Sequence, residues 1–247
     1  MDKAGMPASR RRPNSQPRPA DRRPRAEQQR TRDTREKIVI SALEAFADKG
    51  FEGARTRDIA ARAGVNQGLI TYHFSSKEEL WKAAVDHIFA ILSESLGGRF
   101  RALEEVDPLT RARLVLRHYV RFAAAHPELH RLMVQEGKTD GPRMQWLVDR
   151  HVRPLYEASR ALIKVAQSEG MLPRIPPLHL HYMVLGAAAH LFVMAPECRR
   201  LTGDDPMRKD VVETHADAIV SMFFGRAGAS RAMRPGRAVA PRSRARS

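Results

Sequence analysis

Between Asp33 and Phe224 apolar residues recur at spacings of three and four, and no stretch alternates strictly enough for a strand. The fold is therefore expected to be all-α. The first helix is expected from about Thr34 to Lys49: Asp33 caps it, Glu36 follows three residues later, and Gly50 ends it. Val39, Ala42, Leu43 and Phe46 form its buried stripe. Two short helices follow, near 56–63 and 67–73. A fourth starts at a Ser76–Glu79 capping box and runs through Leu80, Ala83, Ala84 and Ile88 towards Leu96, where Gly97 and Gly98 mark a boundary. Further helices are expected from Leu109 to Ala125, around Leu129 to Met133, from Pro142 to near Gly170 with a kink at Pro154, over 177–195 and over 206–224. The 177–195 stretch is apolar nearly all round, so it needs cover on more than one side.

The two short helices carry the sharpest signal. Thr56 and Asn66 each stand where a helix needs its N-cap. Ala60 lets two helices cross closely, Gly64 can take the left-handed backbone of a tight turn, and Ile59, Ala63, Val65 and Ile70 can bury together beneath it. A small residue, a turn glycine, apolar contacts and two caps at these offsets spell a helix-turn-helix. Such a motif lays its second helix in the major groove of double-stranded DNA. There Gln67 can hydrogen-bond adenine, Leu69 or the Thr71 methyl can touch a thymine methyl, and Gly68 allows close backbone approach behind Asn66. The second helix carries no fixed charge, so phosphate contacts must come from Arg55, Thr56 and Arg57 on one side and Tyr72, His73 and Lys77 on the other.

Charge adds less than its total implies. The chain of 247 residues has a formal net charge of +15, with 43% hydrophobic and 6% aromatic residues. Residues 1–32 hold ten basic and three acidic side chains, and residues 226–247 hold seven arginines and no acid, which leaves the middle almost neutral. Both ends are rich in Pro, Arg, Ala and Ser and poor in large apolar residues, so disordered basic tails are expected over 1–31 and 226–247. Loose, sequence-blind attraction to DNA phosphates is the function such tails could add. Cys198 is the single cysteine, which agrees with a reducing cytoplasm. No apolar segment follows the Arg-rich start as a signal peptide would, and Met183 to Ala195 is too short to span a bilayer, so no membrane partner is expected. His179 and His181 are two residues apart, which on a helix puts them on different faces, so no metal site and no cofactor is expected.

The run Gly50-Phe51, Thr56-Arg57-Asp58-Ile59-Ala60, Ala63-Gly64-Val65, Gly68-Leu69-Ile70-Thr71-Tyr72-His73-Phe74 and Ser76-Lys77-Glu78-Glu79-Leu80 resembles the DNA-binding domain of the TetR family. The resemblance implies a helix-turn-helix domain over 32–92 and a C-terminal ligand-binding and dimerisation domain over 99–225. It also implies a homodimer on a palindromic operator, acting as a repressor that a small-molecule effector releases. Gln67 and Thr71 depart from the basic and aromatic residues common at those positions, so the operator sequence is its own. The last two long helices would pair with those of a second subunit, where Gly186, Ala187, Ala188 and Ala189 permit close approach. An effector pocket would be mainly apolar with a few polar groups, and His118, Phe122, Met144, Trp146, His151, Tyr156 and Tyr182 combine those properties. Two other readings are a sequence-blind nucleic-acid binder working through the tails and an all-α enzyme. No phosphate-cradling loop, nucleophile elbow or zinc-protease pair supports the enzyme.

Overall fold

The computed structural model describes residues 23–225, so the tail expectations for 1–22 and 226–247 lie outside the described residues. The elements in order are α1 (Arg23–Gly53), α2 (Thr56–Ala63), α3 (Gln67–His73), α4 (Lys77–Ala102), α5 (Pro108–Ala125), α6 (Pro127–Glu136), α7 (Pro142–Leu147), a π-helical turn (Val148–Val152), α8 (Arg153–Ser168), α9 (Pro177–Val193), α10 (Ala195–Thr202) and α11 (Lys209–Phe224). No strand occurs among the described residues, and no single helix there is long and apolar enough to cross a membrane.

Several boundaries differ from the sequence expectation, each for a local reason. Helix α1 begins at Arg23, not near Thr34, so 23–31 is helix rather than tail and Asp33 is no cap. Asp33 instead accepts a hydrogen bond from Gln29 Nε2 at 2.7 Å, one turn back along the helix. Gly50, at φ 68° and ψ 174°, bends the chain before a last turn to Gly53. Gly97 and Gly98 do not end α4, which continues to Ala102; glycine lowers helix propensity by about 1 kcal/mol, which neighbouring packing can override. The expected long helix from Pro142 is split: the missing N–H of Pro154 is absorbed by the π turn immediately before it. Helix α10 had no distinct sequence signal. The last helix starts at Lys209 rather than 206.

Two clusters of buried side chains hold the molecule together. The first joins the apolar stripes of α1 to α4 with Phe122 of α5, Leu129 and Leu132 of α6, and Leu147 of α7. Helix α6 packs along α1, so the helix-turn-helix unit and the C-terminal helices share one core rather than meeting through a linker. The second cluster is formed by Leu116, Val120 and Ala123 of α5, Ala188, Ala189 and Phe192 of α9, and Val212, Ala216, Ile219 and Phe224 of α11. Arg117 and Arg121 of α5 pair with Glu213 and Asp217 along the α11 edge of that cluster.

Tyr119 lies against both clusters and hydrogen-bonds His130 across α5 and α6, Oη to Nε2 at 2.8 Å. The Nδ1 of His130 is buried without a partner among the described residues, and burial pushes the imidazole from 6.5 down to about 4. Protons therefore bind the unfolded chain more readily than the native one between those values, and stability is lost as pH falls through that window. The loss attributable to His130 is expected to be about 3 kcal/mol by pH 4, from 1.4 kcal/mol per pH unit. Urea midpoints of wild type and His130→Phe, measured from pH 7.5 to 4.5, check this: the wild-type curve should fall more steeply below about pH 6.5. Parallel curves would remove His130 as the cause.

Candidate nucleic-acid interface

The helix-turn-helix is built from α2 and α3. Ile59 and Ile70 are fully buried beneath the turn, with Ala63 and Val65 half-buried beside them. Gly64 sits at φ 67° and ψ 32°, in the left-handed region, and its N–H bonds back to the Ala61 carbonyl. Nothing lies within 4 Å of where its Cβ would be, so the backbone angle and not crowding requires glycine there. The first cap differs from expectation. The Arg55 carbonyl accepts the first helical bonds, from Asp58 and Ile59, so Arg55 is the N-cap of α2 and Thr56 its first helical residue. Asn66 does cap α3, its side chain accepting from the Leu69 N–H at 3.0 Å. A Cβ on Gly68 would approach that same Asn66 oxygen to 3.2 Å, so this glycine also leaves room for the cap.

On α3, Gln67, Gly68, Thr71 and Tyr72 are exposed, and Tyr72 is 76% accessible. Leu69 turns the other way: it is half-buried against the first core cluster, which corrects its expected place at a thymine methyl. Asn66 is exposed but already committed to its cap. Arg55 and Arg57 are exposed at the start of α2, with Arg57 held loosely by Asp58 at 3.9 Å, and Thr56 is half-buried between them. On the far side, Lys77 begins α4 with its Nζ 3.4 Å from the Glu52 carbonyl and 4.6 Å from the centre of the Phe51 ring. That ties α4 to the turn ending α1 and leaves Lys77 less free than expected. His73 packs edge-on to Tyr72 at 5.0 Å; burial, then the charge of Arg35, holds its imidazole below the ordinary value.

Arg35 was not singled out from the sequence. Its guanidinium lies 5.0 Å over the Phe74 ring, at the end of α3. Four residues before Val39 it looks like an ordinary solvated arginine, and only the crossing of α1 with the end of α3 gives it this position. The candidate interface is thus an uncharged helix face between cations: Arg55 and Arg57 at one end, Arg35 and Lys77 at the other.

The seven residues expected to line an effector pocket are not gathered around one cavity. Phe122 is buried in the first core cluster, and Met144 and Trp146 pack on that cluster. Trp146 lies 5.5 Å from Trp81. His151 stacks on Phe89 at 4.6 Å and hydrogen-bonds Asp86 at 2.8 Å. His118 hydrogen-bonds Ser95 at 2.8 Å between α5 and α4. Tyr156 meets His181 at 5.2 Å on α9, whereas Tyr182 is 63% exposed on the outer side. Two open grooves occur on the surface. One runs between α5 and α11 past Arg121, Met207 and Glu213, and the other is an apolar trough lined by Pro173, Ile175, Leu180, Met183, Met222 and Phe223. None of the seven lines either groove. Packing in and on the first core cluster takes up Phe122, Met144 and Trp146, which sequence alone marks as pocket material.

Comparison with known proteins agrees with the geometry. Residues 38–84 match the model for bacterial regulatory proteins of the tetR family, and residues 108–223 match that for the tetracyclin repressor-like C-terminal domain. The chain is 30% identical over 166 residues to the HTH-type transcriptional regulator RutR of Escherichia coli K12, covering 67% of this chain and 77% of RutR. It is 28% identical over 142 residues to the HTH-type transcriptional repressor NicS of Pseudomonas putida, covering 56% of this chain and 65% of NicS. Among solved structures, AibR in complex with isovaleryl coenzyme A and operator DNA shares the fold at a TM-score of 0.62 and 19% identity, over 77% of this chain and 98% of AibR. With both halves matched in order, and the turn glycine, the α3 cap and the exposed α3 face in place, the chain belongs to the TetR family of helix-turn-helix transcriptional regulators.

Proposed function

We propose that this regulator is a cytoplasmic homodimeric repressor that reads a palindromic operator through α3 and leaves it when a small molecule binds the C-terminal helices. The observation that carries the DNA reading is the exposed, uncharged face of Gln67, Gly68, Thr71 and Tyr72 between flanking cations. A groove reader gains sequence discrimination from such neutral donors, acceptors and methyl groups, while arginines on either side hold the backbone. Tyr72 and Lys77 would add to the backbone contacts at the far end.

Dimerisation is supported by the outward sides of α9 and α11. His179, Tyr182, Met183, Gly186 and His190 form one exposed stripe on α9, and Ala218 and Met222 are exposed on α11. No Asp, Glu, Lys or Arg is among them, whereas Glu213 and Asp217 of α11 face α5. Two such faces related by a two-fold axis would set the recognition helices about one turn of DNA apart, roughly 34 Å. For the effector, AibR shows that a protein of this fold can hold isovaleryl coenzyme A together with operator DNA. In this chain we assign the polar effector contact to His118, which lines neither groove and would have to part from Ser95, between α5 and α4, to make it. Its link to α4 gives a ligand there a direct mechanical connection to the helix-turn-helix.

The test is to select bound fragments from the source genome with the full-length protein and then titrate variants on the selected fragment. Gln67→Ala or Thr71→Ala should each cost roughly 1–3 kcal/mol on that fragment and far less on scrambled DNA. Arg57→Ala should weaken both alike. Equal losses from Gln67→Ala on selected and scrambled DNA would rule out the groove assignment.

A further inference from the structure

Helix α1 is longer than its packing requires. From Ile38 to Ala47 it buries one side in the first cluster, but every described residue from Glu27 to Asp33 is exposed. The helical row that is apolar and buried at Phe46, Ala42 and Val39 continues backwards, in steps of three and four, as Arg35, Arg32 and Gln28. Arg25 extends the row in the sequence. A row facing a core is expected to be apolar, so this change of chemistry marks where α1 runs past its own domain. Its position there is fixed by Arg35, whose guanidinium sits over Phe74 where the recognition helix ends. Arg32, one turn earlier on the same side, makes no ion pair with any described residue. Asp33, next in sequence, is bonded to Gln29, and Glu36, four residues on and on the same side, makes no ion pair with Arg32 either.

We infer that the projecting part of α1 is a second DNA contact, in which Arg32 grips a backbone phosphate of the duplex flanking each half-site. This rests on the reading that α3 lies in the major groove. Ten helical residues span about 15 Å at 1.5 Å each, which reaches about four base pairs of flank at 3.4 Å per step. Phosphate is the chemistry Arg32 fits: a guanidinium with no carboxylate partner among the described residues, no apolar anchor and no aromatic platform for a base. The contact adds affinity without adding sequence preference.

The geometry makes a sharper claim than charge alone. Arg30 is two positions from Arg32 and therefore points about 200° away around the helix, at 100° per residue. The experiment compares full-length wild type, Arg32→Gln and Arg30→Gln, which change the net charge identically. Affinity is measured by fluorescence anisotropy across a salt series, on the selected operator with ten flanking base pairs each side and on the same operator trimmed to its half-sites. Arg32→Gln should lower the slope of log affinity against log salt by about 0.9 per lost phosphate contact on the flanked duplex. On the trimmed duplex it should match wild type. Arg30→Gln should change the slope much less, and Arg32→Lys should restore most of it. Equal effects of Arg30→Gln and Arg32→Gln would reduce the helix to diffuse charge and overturn the inference. So would equal effects on flanked and trimmed DNA, or a slope unchanged by Arg32→Gln. Because phosphates carry no sequence, a scrambled duplex of the flanked length gives the same readout. Absent specificity in the wild type would thus count against the groove reading, while the slopes still judge α1.

Discussion

Trp81→Ala is expected to destabilise the protein by about 3–5 kcal/mol, the range for a large aromatic side chain deleted from a closed core. Trp81 has no accessible surface. It meets Phe51 edge-on at 6.4 Å and Trp146 at 5.5 Å, so it touches the end of α1 from one side and α7 from the other. The cavity would open where the two halves share their core, and little can move in to fill it. Its indole Nε1 is buried without a hydrogen-bond partner among the described residues, so the side chain acts there chiefly by volume and shape. Trp81→Phe should therefore cost much less than Trp81→Ala, since no bond is lost and part of the volume is kept. Urea unfolding of the three proteins checks this. With two tryptophans in the chain, emission from the variants reports Trp146 directly. Equal losses for the phenylalanine and alanine variants would mean that the packing account is wrong.

The second large effect concerns Arg143. Its Nε donates to Glu136 at 3.3 Å, and the Glu136 side chain is only 5% accessible. The same guanidinium lies 3.9 Å from the centre of the Phe51 ring, which also carries Lys77 at 4.6 Å, and Glu52 approaches it at 3.7 Å. Arg143→Ala would strand a buried carboxylate and uncover the ring, with an expected loss of about 2–4 kcal/mol. Adding Glu136→Gln should recover a substantial part, because the uncompensated charge is then gone. Arg143→Lys should fall between, keeping the charge but not the flat face over Phe51. A double-mutant cycle on urea midpoints measures the coupling; strict additivity would show that the pair contributes nothing. DNA titration of the same variants has a further use, since Phe51 and Lys77 lie at the foot of α4, beside the recognition helix.

The readable parts of this molecule are those fixed within a few residues. Gly64, Asn66 and Ser76 act on backbone groups two to four positions away, so their roles follow from order along the chain. The buried stripe of α1 follows from helical period in the same way. Leu69 illustrates the limit: on a helix of seven residues, one side chain faces either the groove or the core, and the tilt of α3 on α2 decides. Asp33 is another case. It has the spacing of a cap, yet nothing local stops a helix of good propensity from continuing back to Arg23. Phe122, Met144 and Trp146 mislead for a different reason, since large aromatic and thioether side chains are equally suited to a pocket wall and to a shared core.

The sequence by itself determined an all-α chain with a helix-turn-helix at Thr56 to Phe74, because caps, a left-handed glycine and helical periodicity are short-range physics. The tertiary structure alone decided that α6 lies along α1, that Trp81 meets Trp146, and that Arg143 covers Phe51 beside Lys77. These pairings join residues far apart in the chain, and many apolar stripes are interchangeable as partners until volume and angle are matched in three dimensions.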